Sequence, residues 1–346
     1  MRAAFVVAAA VVCPQPALAQ HAIFAEGDLS ALAGSPAARE VIARAQAALG
    51  RRPGAIPKLH TEGTLPGQGI RDISIAAKRD HPIVLDLALA WAVTRDRRYL
   101  DQAELYLENW ADVYQMSFNP IDETSFDMLV MATDLTAPDL SPPLAAKLHT
   151  FWRRMASGYL DAMDGKPHNA HTNWQSHRIK LATLAAYRVG DKALIDRARA
   201  AYRRHISVNL RPDGSTFDFE ERDALHYVTY NLDPLMTAAL AARAHGENWY
   251  DWKAPSDASL AHSVDWLAIF ARGERTHIEF ARSKIAFDHA RAAAGQKEYA
   301  PHPWNPVQAL NTFALASHFR SHYAVLRDAL SRESGRRFAP WMELAR

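Results

Sequence analysis

Apolar residues recur every three to four positions along almost the whole chain, the period of an amphipathic helix rather than of a strand. HPIVLDLALAWAVTRD (81–96) is followed, after a tight turn, by YLDQAELYLENWADVYQ (99–115), and the pair predicts a helical hairpin. TSFDMLVMATDL (124–135) predicts a further helix. PPLAAKLHTFWRRMASGYLDAM (142–163) opens on prolines, which suit the first turn of a helix. WQSHRIKLATLAAYRVG (174–190) ends in a glycine stop, and DKALIDRARAAYRRHISVNL (191–210) pairs with it. DALHYVTYNLDPLMTAALAARAHG (223–246) predicts a helix kinked at Pro234. Further helical runs are expected at 257–271, 275–294 and 305–333. No strand ladder is expected; RPDGSTFDFEER (211–222), with its Asp-Gly turn, has room for one short extended piece.

The expected fold is therefore all-α, with helical hairpins that either stack as a solenoid or curl into an incomplete (α/α) toroid around a cleft. The toroid is the preferred form. One domain is expected over 21–346, because no internal linker is rich enough in Gly, Ser or Pro to divide it. The long connections at 57–76, 116–124, 164–174, 211–223 and 299–306 are where function is expected. The start, MRAAFVVAAAVVCPQPALAQ, has one arginine, an apolar run too short to span a membrane, and a small-x-small step at Ala17–Ala19. It reads as a signal peptide (1–20) cut after Ala19 or Gln20, and predicts a periplasmic or secreted protein with no membrane anchor. Cys13 is the only cysteine, so the mature chain would hold no disulfide. A formal net charge of +2 argues against nucleic acid as the partner. An anionic ligand would have to be met by local side chains, and a monomer is expected.

Candidate chemistry concentrates in two stretches. In HNAHTNWQSH (168–177), Asn173 and His177 are four apart and share a helical face, with His171 just ahead and Trp174 as a packing residue or sugar platform. Asn173 also suits an N-cap. In DFEERDALHYVTYNLDP, Arg222 precedes a helix that carries His226, Tyr227 and Tyr230. Asn, His, Arg and Tyr together suit β-elimination from a uronic acid. Amide, imidazole and guanidinium donors offset the carboxylate charge that makes the C5 proton poorly acidic, and a tyrosine or histidine removes that proton and protonates the departing oxygen. Substrate contacts are expected from His60, Glu62 and Arg71 in the glycine-rich loop, from Asn119 and Glu123, and from His302 and Trp304. No metal or other cofactor is expected: His168, His171 and His177 lack a carboxylate at a characteristic spacing. GTLPGQG (63–69) lacks the lysine of a phosphate loop. Two other readings remain open. One is an inverting glycoside hydrolase using two of Glu62, Asp72, Glu123, Glu220 and Glu221; the other is a non-catalytic periplasmic glycan-binding protein.

EGTLPG (62–67), NPIDETSFDMLVMATDL (119–135), NAHTNWQSHRIK (169–180) and DGSTFDFEERDALHYVTYNLDPL (213–235) resemble, in order and spacing, the alginate lyase superfamily of exported α/α-toroid polysaccharide lyases. The resemblance runs from about Leu59 to Pro306. It implies cleavage of a 1,4-linked polyuronate to 4,5-unsaturated uronyl ends, with Arg222 and Tyr227 matching the family's later arginine and tyrosine. For the earlier Asn-His element, aligning Trp174 with the family tryptophan puts His171 at the histidine and Ala170 where asparagine is usual. A branch with an Asn-Trp-Gln-Ser-His pattern instead selects Asn173 and His177, the choice preferred here. That departure makes a glucuronan-like polymer at least as apt as alginate.

Overall fold

The computed structural model describes residues 20–25 and 27–345; the expected signal peptide lies outside them, apart from Gln20. The helices are α1 Pro36–Ala48, α2 Gly69–Lys78, α3 Asp80–Thr94, α4 Arg97–Val113, α5 Phe126–Thr136, α6 Pro142–Asp164, α7 Asn173–Val189 and α8 Lys192–Asn209. They continue with α9 Phe217–Arg222, α10 Leu225–Ala244, α11 Leu260–Ala271, α12 Ala286–Ala293, α13 Leu310–Ser317, α14 Tyr323–Ser334 and α15 Trp341–Leu344. A two-residue antiparallel pair, β1 Ile278–Glu279 and β2 His302–Pro303, is the only named sheet among the described residues.

Helices α3, α5, α7, α10 and α13 pack side by side as an inner ring, and α1, α4, α6, α8, α11 and α14 lie outside it. The division follows from sequence. Outer α4 alternates Tyr99, Leu100, Ala103, Tyr106, Leu107 and Trp110 inward with charged residues outward, the stripe of a surface helix. Inner α3 is buried almost all round, from Val84 to Val93 except Asp86. The ring is open-ended: among the described residues the short α15 packs against both α13 and α1 at the seam. Each inner helix is reached through an outer helix running back. The inner helices are therefore parallel and gather their N-termini at one end of the ring, where the helix dipoles favour negative charge.

Three expectations change. The run at 275–294 is not one helix: it becomes β1, a turn and the shorter α12, because 279–284 bonds to the end of α9 instead. Phe280 N–H donates to Asp223 O and Lys284 N–H to Glu221 O, at 2.8 and 2.9 Å. The run at 305–333 breaks into a 3₁₀ turn, α13 and α14. The extended piece at 211–222 is a single bridge, Leu210 to Thr216, around a turn at Gly214. That glycine has φ +93°, and a Cβ there would lie 2.6 Å from Trp266 Cβ, so no other residue fits unchanged.

Candidate active site

Helix α7 is the centre of the ring, packed between α6 and α10, and its first half is polar although buried. Asn173, Gln175, Ser176, His177, Arg178 and Lys180 are each less than 9% exposed. A buried polar group left unbonded costs about 1–3 kcal/mol, so these residues need partners. Thr172 takes the N-cap, accepting from Trp174 N–H, which frees the Asn173 side chain. Asn173 donates through both its backbone N–H (3.0 Å) and Nδ2 (2.5 Å) to Asp218. Asn209 donates to the other Asp218 oxygen at 3.0 Å and accepts from Asn231. Ser176 donates to Asn231 Oδ1 at 2.6 Å and lies 2.7 Å from His205 Nε2. Lys180 holds Asp127 and Thr124, and Thr124 Oγ1 lies 2.7 Å from His177 Nδ1. Burial, with the nearby Lys180 charge, holds the His177 pKa well below its usual value, so the ring is neutral.

A cavity of about 280 Å³ opens at the N-terminal ends of α7 and α10, lined by Glu62, Ile121, Asn173, Trp174, Arg222, His226, Tyr227, Tyr230, Phe287, Arg291 and Tyr299. Its floor depends on an unusual cap. The first N–H groups of α10, on Leu225 and His226, donate to the two oxygens of Glu279 at 2.6 and 2.8 Å. This carboxylate arrives from β1, far along the chain, and burial pushes its pKa up to about 7. The cap presents His226, Tyr227 and Tyr230 to the cavity. The Arg222 guanidinium carbon lies 3.9 Å from the centre of the Tyr227 ring. Arg222 is also ion-paired with buried Asp288 on α12. Arg291, on the same helix, donates to the Tyr227 hydroxyl at 3.1 Å. Burial raises the pKa of both Tyr227 and Tyr230; for Tyr227, Arg222 and, less strongly, Arg291 pull the other way without overcoming it. Burial, aided by the same arginines, brings His226 down to about 4, so its ring is a neutral base near pH 7.

Seven of the sequence candidates thus meet in one cavity: Glu62, Asn173, Trp174, Arg222, His226, Tyr227 and Tyr230. Eight lie elsewhere. His177 sits one layer down, its ring 4.4 Å from that of Tyr230. His171 precedes the cap and is exposed, facing Phe217. Glu123 is fully buried and spent on Tyr114, Ser117, Phe118 and Tyr159, so it ties down the 114–123 loop rather than facing the cleft. Asn119 caps that loop at Ile121 N–H. His60 contacts Asp122, which also takes the N–H groups of Thr61 and Glu62 and so fixes the loop that carries Glu62. Arg71 lies on α2 outside the lining, His302 bonds to Ala300 O in β2, and Trp304 is buried. Sequence reasoning missed Ile121, Phe287, Arg291 and Tyr299. The last three lie in or beside α12, and the one available signal was the i, i+4 spacing of Phe287 and Arg291. A larger cavity, about 670 Å³, lies at the seam between α1, α3 and α15. Four of its charged rim residues, Glu40, Arg44, Asp86 and Arg337, are taken up in mutual pairs.

Comparison with known proteins agrees with this architecture. A sequence model of the alginate lyase family matches residues 29–277. The chain belongs to the alginate lyase family. An alginate lyase from Bacteroides ovatus superposes with a TM-score of 0.66 at 16% identity, over 90% of this chain and 96% of that one. Alginate lyase A1-III from Sphingomonas species A1 gives 0.53 at 16% identity, over 75% of this chain and 81% of that one. A variant of alginate lyase A1-III complexed with a tetrasaccharide gives 0.51 at 17% identity, over 68% and 77%. At these identities the likeness shows the fold, the α/α toroid. A protein of Stenotrophomonas maltophilia named polysaccharide lyase is 29% identical over 172 residues, which is 49% of this chain. The chain spans just under half the length of that relative, 47%. The family match ends before α12, so the wall of the cavity that carries Arg291 lies beyond it.

Proposed function

We propose that this protein is a polysaccharide lyase that cleaves a 1,4-linked polymer containing uronic acid, of the glucuronan or alginate type, by β-elimination. The observation that carries the reading is Tyr227: its hydroxyl accepts from Arg291 at 3.1 Å while the Arg222 guanidinium faces its ring at 3.9 Å. As a phenolate, Tyr227 takes the C5 proton of a bound uronyl residue. The electron pair of the broken C–H bond moves into the carboxylate as an enolate, and Asn173, the arginines and the parallel helix N-termini offset that charge. Asn173 Nδ2 spends one N–H on Asp218 and keeps a second for the substrate. The C4–O bond then breaks, the C4–C5 double bond forms, and the departing oxygen takes the proton from Tyr227. The tyrosine returns to its starting state and no water is consumed. His226, neutral and lining the same cavity, is the second candidate for the base. A relative of this fold has been obtained with a tetrasaccharide, which fits an extended sugar chain here. The leader-like first twenty residues fit an exported enzyme.

The hydrolase reading is weaker for a specific reason. An inverting hydrolase needs two carboxylates about 6.5–9.5 Å apart, and Glu62 is the one carboxylate in the cavity lining. Glu220 and Glu221 pair with Arg211 and Lys284, and Glu123 is buried. The test is to offer glucuronan, polymannuronate and polyguluronate to purified protein without added metal and follow ultraviolet absorbance of the unsaturated end. The expected result is an absorbance rise with at least one polymer, abolished by Tyr227→Phe. Chain shortening without the double bond would establish hydrolysis instead, and binding without any product would establish a glycan-binding protein.

A further inference from the structure

The two arginines beside Tyr227 are not equivalent. Arg222 lies against the ring face, and its charge is partly offset by Asp288, which is buried and further held by Ser283 Oγ at 2.8 Å. Arg291 reaches the oxygen itself, and among the described residues no carboxylate lies within ion-pair distance of it. Its guanidinium is flanked by rings, 4.3 Å from the centre of Phe287 and 4.5 Å from that of Tyr299. These rings shield it from water without neutralising it. Asp288 and Arg291 are three apart on α12, so one helical face delivers both the anchor for Arg222 and the cation for Tyr227. The charged and titratable groups around the phenol are then Arg222 from α9, His226 and Tyr230 from α10, Asp288 and Arg291 from α12, and Tyr299. Of these, Arg291 alone brings an uncompensated positive charge to the reacting atom.

We propose that Arg291 is the catalytic residue that stabilises the Tyr227 phenolate as it forms, and that Arg222 chiefly positions the ring. This rests on the lyase reading for its role in turnover, but not for its effect on the phenol. Unopposed by a cation, a buried phenol stays protonated and cannot take a carbon-bound proton. An opposite charge within hydrogen-bond distance favours the ionised form, typically by one to three pH units. Arg291 also lies beyond the segment that matches the family, so this charge comes from a part of the chain that a motif search over 29–277 would not reach.

The experiment compares wild type with Arg291→Met, Arg291→Lys and Asp288→Asn, each first checked for an intact helical circular dichroism spectrum. Two readouts are taken. One is the alkaline titration of Tyr227 in substrate-free protein, isolated from the other tyrosines as the ultraviolet difference against Tyr227→Phe in each background. The other is the pH profile of kcat/KM on whichever polyuronate the wild type cleaves. Arg291→Met is expected to raise the Tyr227 midpoint by one pH unit or more and to lower kcat/KM about tenfold or more at each pH on the rising limb. Arg291→Lys should recover most of both. Asp288→Asn should move the midpoint down, because the carboxylate that offsets Arg222 and repels the phenolate is then gone. An unchanged midpoint in Arg291→Met, or a rise in KM alone with the pH profile in place, would overturn the proposal. If wild type makes no unsaturated product on any polyuronate, the lyase reading fails, and the substrate-free titration still decides the state of the phenol.

Discussion

Replacing Asn173 by alanine tests whether one side chain serves both the interior and the substrate. Its Nδ2 donates to Asp218 at 2.5 Å, and the residue is 2% exposed. A hydrogen bond to a charged group contributes about 1.5–3 kcal/mol. Asp218 would keep the Asn173 backbone N–H and Asn209, both at 3.0 Å. The expected loss of stability is therefore about 2–3 kcal/mol rather than the larger penalty of an unpaired buried charge. Urea unfolding at pH 7 should show a lower midpoint with an unchanged slope. The same change removes the N–H that the proposed lyase reading assigns to the substrate carboxylate, and loss of one such preorganised donor typically lowers kcat by about 10²–10³. The two effects separate in a double-mutant cycle with Asp218→Asn. Coupling in stability should be about 1–2 kcal/mol, whereas the rate loss from Asn173→Ala should persist in both backgrounds. A stability change below about 0.5 kcal/mol would refute the bond to Asp218 as a determinant of the fold. Full activity in a folded Asn173→Ala protein would refute its role at the carboxylate.

Three other outcomes follow from the same geometry. Glu123→Ala should destabilise the protein by more than about 3 kcal/mol in denaturant melts, because Tyr114, Ser117 and Tyr159 all donate to that buried carboxylate; its rate loss should track unfolding. His171→Ala should leave kcat/KM within about threefold, since the ring is exposed and outside the cavity; a loss beyond tenfold would place it at the substrate. Glu247 gives a pH signature. Burial opposes its charge, but bonds from Arg199, Trp249 and Tyr187 outweigh that and bring its pKa down to about 2. A depressed carboxylate stabilises the fold above its unfolded value of about 4.5 and loses that contribution as pH falls toward 2. The stability difference between wild type and Glu247→Gln should therefore be up to about 3 kcal/mol at pH 6 and shrink steadily below pH 4.5; a difference independent of pH would refute it.

Much of the ring was legible in the sequence because inner and outer helices differ in pattern. Val84–Val93 is apolar nearly throughout, while α4 carries a clean stripe. The later cluster, Arg222 to Tyr230, was legible because α9 and α10 bring its members together locally. What was hidden depended on distant chain. Glu123 looks like a loop acid facing solvent until Tyr159, on α6, is seen to close over it. Asn173 looks like an N-cap until Thr172 is found in that position and Asp218, 45 residues away, takes the amide. The 275–294 run has helical periodicity, yet its first half satisfies its backbone against Asp223 and Glu221. Arg291 and Tyr299 become part of the site only because of that detour, and no local pattern announces it.

If the protein is the proposed lyase, the polar interior of α7 sets where its taste in sugars could change. Asn173, Ser176 and their partners are bonded to one another through Asp218, Asn209 and Asn231, so a new residue there would have to be accommodated by the whole bundle at once. Glu62 and Tyr299 both line the cavity, are only partly buried, and belong to connecting segments rather than to that lattice. Divergence among relatives toward one uronate epimer or another should accordingly be written at those margins, with the middle of the ring left untouched.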